Sequence, residues 1–322
     1  MSLGTIYNAL KPELQKIEDR IEQVLKSGQP IVNQAAFQLL KAGGKRIRPI
    51  FVLLASRFGE GQTERVLDVA VTLELIHMAS LVHDDVIDDA ELRRGKKTVK
   101  AEWNNRVAMY TGDFIFARAL DLIGGWSDQR IHGILSHAIR EMTIGEIVQI
   151  RDQYNWQQSL RQYLLRIKRK TALLMAISCQ LGGLASGAKL NTVELLYRFG
   201  YYIGMSYQIV DDILDFTGTE KQLGKPAGGD LRQGHVTLPA LFALTNPAIN
   251  AELKQKLDEA RKTGIGWDEA IRIIKTSPAI EQAKDVSDRY LEKAFRVLDR
   301  MTPDEPTAFL KEIARYIGKR KF

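Results

Sequence analysis

Apolar residues recur along this chain at intervals of three and four. Leu14, Ile17, Ile21 and Val24 do so near the beginning. Val286, Tyr290, Ala294 and Val297, then Leu310, Ile313 and Ile317, do so near the end. That spacing lines one face of a helix, and no stretch shows the sustained alternation of a half-buried strand. Residues 69–82 are apolar almost all round, which predicts a helix at the centre of the fold. No proline occurs between Pro49 and Pro226, a length that a β-rich chain would punctuate with turns. The pattern predicts an all-α bundle of roughly ten or more helices, with any site placed between facing helices. No Pro/Gly/Ser-rich linker interrupts the middle of the chain, so 1–322 reads as a single all-α domain. The uncharged stretch from Thr171 to Ala188 is nearly long enough to span a bilayer. Ser178, Gln180, Gly182, Gly183 and Ser186 dilute it, and it reads as a core helix.

Two apolar helical stretches run directly into aspartates. Asp84-Asp85-Val86-Ile87-Asp88 follows Leu81-Val82, and Asp211-Asp212-Ile213-Leu214-Asp215 follows the stretch from Tyr201 to Val210. In each, the first and last aspartates lie four apart and share a helix face, with the second beside them. Crowded carboxylates raise one another's pKa unless a cation sits between them. Hard oxygen donors suit Mg²⁺, which takes a few carboxylates and completes its shell with phosphates and water. One such motif is an ordinary solvated helix end. Two copies, each closing an apolar helix, point to metal.

The formal net charge is +7, which favours anionic partners. Basic residues cluster at Lys45, Arg46 and Arg48, at Arg93-Arg94, from Arg166 to Lys170, and at Lys319-Arg320-Lys321. No helix-turn-helix, zinc finger or aromatic-interleaved basic motif accompanies them, which argues against nucleic acid. Arg93 and Arg94 follow a metal motif, where guanidiniums can grip diphosphate oxygens, and Gly43-Gly44 lets backbone approach an anion. The single cysteine, Cys179, excludes an internal disulfide and reads as a small core residue. With no secretory signal pattern, a cytoplasmic chain is expected. His83 reads as a packed, hydrogen-bonded histidine. No Ser-His or Cys-His constellation suggests a side-chain nucleophile.

The motif DDxxDxxxxRRG at 84–95, GGKRIRP at 43–49, Lys170-Thr171, Gln208 ahead of the second DDxxD, and Gly224-Lys225-Pro226 with Asp230 together resemble the trans-polyprenyl diphosphate synthases, over nearly the whole chain. His235 in GHVTLP departs mildly, since the family more often has Asn or Lys there. The resemblance implies an isoprenoid-synthase-type helical bundle with a central active-site cavity. It implies condensation of isopentenyl diphosphate with an allylic diphosphate, farnesyl diphosphate in particular, through a carbocation. Lys45, Arg48, His77 and Arg94 are then expected to bind isopentenyl diphosphate. Asp84, Asp85 and Asp88 are expected to hold two Mg²⁺ on the allylic diphosphate, and Asp211, with Asp212 and Asp215, a third. Arg93, Lys170 and Lys225 are expected to contact that diphosphate, and Thr171 and Gln208 to face the nascent cation.

Longer stretches, among them VTLELIHMASLVHDDVIDDAELRRG and GYYIGMSYQIVDDILDFTGTE, resemble catalytic subunits of two-component long-chain members. They imply a small regulatory subunit as partner, with a homodimer as the alternative. They also imply a hexaprenyl or heptaprenyl product for menaquinone side chains, released toward the membrane. Ala79 and Ser80, one turn before Asp84, are small and would leave room for a long tail, its limit set near Ile76, Leu73 or Met109. A class I terpene cyclase would share the first aspartate motif but needs no isopentenyl site. A non-catalytic partner subunit would not need both aspartate sets.

Overall fold

A computed structural model describes residues 3–60, 63–219 and 227–318. Lys225 with its Gly224 and Pro226 neighbours, and Lys319-Arg320-Lys321, lie outside these residues. The described chain is helical almost throughout, as the apolar spacing predicts. Helices α1 (Leu3–Leu25), α2 (Pro30–Lys41), α3 (Ile47–Ser56) and α4 (Glu64–Ile87) lead into a small hairpin of β1 (Leu92–Arg93) and β2 (Lys96–Lys97). Then come α5 (Val99–Glu102), α6 (Asn105–Gly124), α7 (Gln129–Arg151), α8 (Leu160–Ile167), a π-helical turn (Lys168–Ala172), α9 (Leu173–Ala185) and α10 (Leu190–Thr217). The remainder is α11 (Gly229–Arg232), α12 (Leu238–Thr245), α13 (Asn250–Thr263), α14 (Trp267–Thr276), α15 (Ala279–Leu298) and α16 (Glu305–Gly318).

The chain divides into two compact units. The first holds the described residues as far as Ile134, with Ile177–Tyr197 and Asp304–Leu310. The second holds Leu135–Ala176, Arg198–Pro303 and the described residues from Lys311 onward.

In the first unit α4 is the central element, packed against α1, α3 and, most extensively, α6. Val69, Ala70, Val71, Leu73, Leu75 and Ile76 are all buried, as the all-round apolar pattern requires. Among the described residues α4 is long and apolar enough to cross a bilayer, yet most of that span is buried within the protein. Thr63 caps its start, its hydroxyl accepting from the Val66 N–H. Small residues let neighbours approach closely. Gly112 of α6 lies so near α4 that a Cβ there would sit 2.3 Å from His83 Nε2. In the second unit a core of Tyr163, Ile167, Met205, Ile209, Phe216, Leu238, Leu241 and Ile274 joins α8, α10, α12 and α14. Cys179 is fully buried, and burial pushes its thiol pKa up, so it packs as an inert apolar residue.

Gly182 of α9 meets α3 closely enough that an added Cβ would lie 2.4 Å from the Val52 carbonyl oxygen. Backbone cannot yield as a side-chain tip can. Gly182→Ala is therefore expected to cost about 1 to 3 kcal/mol by overpacking, read from urea unfolding midpoints, although alanine has the higher helix propensity.

Candidate active site

The first aspartate motif occupies the last turn of α4. Asp88 is the C-cap residue, and its N–H donates to the Asp84 carbonyl at 2.8 Å. The second motif occupies the end of α10. A helix C-terminus carries the negative end of the macrodipole, where cations are stabilised and carboxylates are not. Neither helix has a basic residue in its last turn. Both motifs are thus placed where an external cation is favoured, and that suits a hard divalent ion. Among the described residues no three His, Cys, Asp or Glu side chains converge as a ready ligand set.

The chain turns sharply after α4. Asp89, Arg94 and Gly95 have φ of 51°, 53° and 75°. Arg94 and Gly95 are the two central residues of the β1–β2 hairpin, and two successive positive φ values make a type I′ turn. Gly95 meets this demand without strain; Arg94 adopts it at some cost. The turn folds Arg93 back onto buried Asp85, whose Oδ1 accepts from Nε at 2.9 Å and lies 2.7 Å from Nη2 in an ion pair. Asp84 and Asp88 remain half-buried beside this pair.

Seven residues before Asp84, on the same helix, His77 sits among cations. Burial lowers its pKa well below 6.5, and Arg48, Arg94, Arg93 and Arg46 lower it further. His77 is therefore neutral. Arg94 lies across the Gly44 backbone, where a Cβ would come 2.8 Å from its Nη1. The loop carrying Lys45, which leads into α3 and its Arg48, is held by three residues. The Tyr7 hydroxyl donates to the Lys45 carbonyl. Arg46, at φ 46°, pairs with Glu18 of α1 and, at 2.9 Å, with buried Glu74 of α4. Arg46 is thus a clamp rather than a ligand-binding group, and Lys45 is left exposed.

In the second unit the π-helical turn carries Lys170 and Thr171. Such turns insert an extra residue and re-aim side chains, often at functional sites. Lys170 Nζ donates to Glu146 Oε2 at 3.2 Å. Thr171 Oγ1 donates to Gln208 Oε1 at 2.6 Å, and Gln208 Nε2 donates to Asp212 Oδ1 at 2.8 Å. The Tyr163 hydroxyl donates to Asp212 Oδ2 at 2.7 Å. Burial pushes the Asp212 pKa up to about 7, against the lowering effect of Tyr163 and Gln208. Asp215 is buried and accepts at 3.2 Å from the Asp230 N–H, while Asp211 is half-buried.

These arrangements match known proteins. The sequence model of the polyprenyl synthetase family fits residues 29–274. The chain belongs to the polyprenyl synthetase family. It is 54% identical to heptaprenyl diphosphate synthase component 2 of Bacillus subtilis, over all of this chain and 92% of that one. The crystal structure of heptaprenyl diphosphate synthase from Staphylococcus aureus superposes with a TM-score of 0.92 at 43% identity, covering 97% of this chain and 99% of that one. A polyprenyl synthase from Caulobacter crescentus, complexed with calcium and isoprenyl diphosphate, superposes with a TM-score of 0.93 at 30% identity, over 100% and 98%. The expected isoprenoid-synthase fold is the fold found, and the chain is a prenyltransferase.

Within this polyprenyl synthetase, the first unit gathers Arg48, His77, Arg93 and Arg94 around one end of α4, with the loop of Lys45. The second unit links Thr171, Gln208 and Asp212. Not every residue of the basic clusters is available to an anion. Buried Arg166 donates to Gln158 at 2.8 Å and to the Val236 carbonyl, and Arg169 donates to Glu141 at 2.9 Å. Tyr163, Glu146, Glu18 and Glu74 escape a sequence reading because none belongs to a motif. A buried hydroxyl or carboxylate at the core edge of a helix carries no distinguishing spacing. His83 lies against α6, its Nε2 3.3 Å from the Met109 carbonyl and 3.3 Å from Asp113, as a packed, hydrogen-bonded histidine should.

Neutral His77 has a stability consequence. The unfolded chain binds a proton below about pH 6.5, whereas folded His77 resists it. Stability therefore falls as pH drops from about 6.5 toward the depressed folded value. Urea unfolding at about pH 8 and about pH 5.5 should show wild type losing more stability on acidification than His77→Gln.

Proposed function

We propose that this chain is the catalytic subunit of an all-trans heptaprenyl diphosphate synthase, supplying menaquinone side chains. The observation that carries the reading is the division of α4. An arginine-rich, anion-accepting cluster surrounds His77, and two turns further on lies a carboxylate end that calls for a cation. A reaction between two diphosphates, only one of which must lose its diphosphate, needs both. Isopentenyl diphosphate is assigned to Lys45, Arg48, His77 and Arg94, with neutral His77 offering an N–H. The allylic partner, farnesyl diphosphate, is assigned to Arg93, Lys170 and Lys225. Arg93 and Lys170 hold carboxylates in the ligand-free chain, so each exchanges Asp85 or Glu146 for phosphate oxygen on binding.

Polyprenyl synthetases generally depend on Mg²⁺, which when bound neutralises charge developing on the leaving diphosphate. Asp84, Asp85 and Asp88, and Asp211 with Asp215, are the residues that would hold three such ions; Asp212, expected in the same set, already has a donor on each oxygen. The relative crystallised with calcium and isoprenyl diphosphate supports this pairing of cation and diphosphate. Breaking the allylic C–O bond sends its electron pair to the diphosphate and leaves a delocalised cation. The double bond of isopentenyl diphosphate attacks it, and a proton then leaves to the departed diphosphate. Fixing both substrates makes the encounter effectively unimolecular. Apolar helices exclude the water that would quench the cation. Both compact units serve this one reaction as a single catalytic domain. The relative named component 2 supports a small regulatory subunit as partner, with a homodimer as the alternative. The enzyme is assigned to the cytoplasm, its product passing to the membrane.

With farnesyl diphosphate, isopentenyl diphosphate and Mg²⁺, the chain plus a small subunit should make heptaprenyl diphosphate, resolved by chromatography of the dephosphorylated alcohols. The isolated chain should be much slower. Full-rate long product from the isolated chain, unchanged by any small subunit, would refute the two-component reading.

Product length offers a second test. Ala79 is fully buried, and the Ser80 hydroxyl bonds back to the His77 carbonyl at 2.8 Å, so both present little bulk one turn before Asp84. Ile76 and Leu73 deeper on α4 are buried, and Met109 is exposed. Ala79→Phe should shift an active enzyme to markedly shorter prenyl diphosphates. An active variant with unchanged product length would place the growing tail elsewhere.

A further inference from the structure

The hydrogen-bond chain of the second unit has a direction. Asp212 accepts at both oxygens, from the Tyr163 hydroxyl at 2.7 Å and from Gln208 Nε2 at 2.8 Å. Gln208 turns its NH₂ toward Asp212 and its oxygen the other way. That oxygen takes the Thr171 hydroxyl hydrogen at 2.6 Å. The hydrogen is then committed, and the Thr171 oxygen is left with lone pairs for whatever the π-helical turn faces. Tyr163 is itself fixed. It is fully buried, and Arg166 lies 5.6 Å from its ring centroid, tethered to Gln158 and the Val236 carbonyl. Gly204 of α10 brings the two ends of the chain together, since a Cβ there would lie 2.5 Å from Ala172 Cα.

We infer that Tyr163 and Asp212 are positioning residues that set the polarity of Gln208 and Thr171, so that Thr171 presents lone pairs rather than a hydroxyl hydrogen to a developing carbocation. This rests on the proposed reading in which Thr171 and Gln208 face that cation. A lone pair aimed at positive charge stabilises it, and an O–H hydrogen aimed there opposes it. The dipole costs nothing to reorganise during the reaction because buried groups hold it in advance. Asp212 on this account acts through Gln208 rather than as a Mg²⁺ ligand. Its neighbours Asp211 and Asp215 keep their assigned roles.

Asp212→Asn keeps the shape but introduces a donor. With the Tyr163 hydroxyl still donating to the side-chain oxygen, the new NH₂ faces the Gln208 oxygen, so Gln208 flips and its NH₂ then occupies the Thr171 oxygen. Isopentenyl-dependent turnover by the wild-type protein is read first, with its small subunit if one is needed. No turnover at all sinks the proposed function. Given turnover, Asp212→Asn should lower kcat on the order of a hundredfold, the scale of losing one preorganised dipole, with both substrate KM values within about twofold. Tyr163→Phe should lower kcat about tenfold, and the double variant should be no slower than Asp212→Asn, because the groups act as one unit. Calorimetric Mg²⁺ binding, in the presence of an unreactive thiolo analogue of farnesyl diphosphate, should be unaltered in Asp212→Asn. An unchanged kcat, additive losses in the double variant, or Mg²⁺ binding weakened severalfold would each overturn the relay and leave the proposed function standing. If Asp212→Asn does not fold, Tyr163→Phe alone decides, by whether kcat falls while KM and Mg²⁺ affinity hold.

Discussion

Carboxylates at the negative ends of two apolar helices are the constraint around which the rest of this protein is arranged. Asp84, Asp85 and Asp88 close α4, and Asp211, Asp212 and Asp215 close α10. Each set is opposed by its own helix dipole and by its own members. The structure meets that cost in different ways. Asp85 is paired with Arg93, which the hairpin after α4 folds back onto it. Asp212 is buried with a donor on each oxygen. Asp215 is tied to the turn at Asp230.

The positive side of the site obeys the same economy. Like charges are gathered only where something else holds them. The loop of Lys45 at the start of α3 keeps its shape because Arg46 is anchored to Glu18 and Glu74. His77 sheds its proton under the influence of burial and four arginines, and so adds a donor without adding charge. Lys170 waits on Glu146. Such internal pairs limit repulsion among the clustered cations.

Much of this was legible in the chain itself, because its signals are local. Intervals of three and four at 14–24, 286–297 and 310–317 determine helices irrespective of what they pack on, and they are found in α1, α15 and α16. The near-continuous apolar run at 69–82 determines a buried helix, which is α4. Two DDxxD motifs closing apolar helices, a Gly-Gly-Lys-Arg loop and an Arg-Arg-Gly turn specify a family, since few chemistries need all of them. The Arg94-Gly95 hairpin lay below that resolution, because two-residue strands show no alternation.

Tertiary structure alone decided which members of each basic cluster hold the fold. Sequence spacing does not separate Arg46 from Arg48, or Arg166 from Lys170. Packing shows what Arg46 and Arg166 hold, Glu18 and Glu74 for Arg46, and Gln158 and the Val236 carbonyl for Arg166. Tyr163 carries no motif, and its bond to Asp212, forty-nine positions away, exists only because α8 brings its hydroxyl there. A helical sequence specifies its own face and its own ends. The direction of a hydrogen-bond chain depends on which groups the packing of several helices makes meet, and that information resides in no single segment.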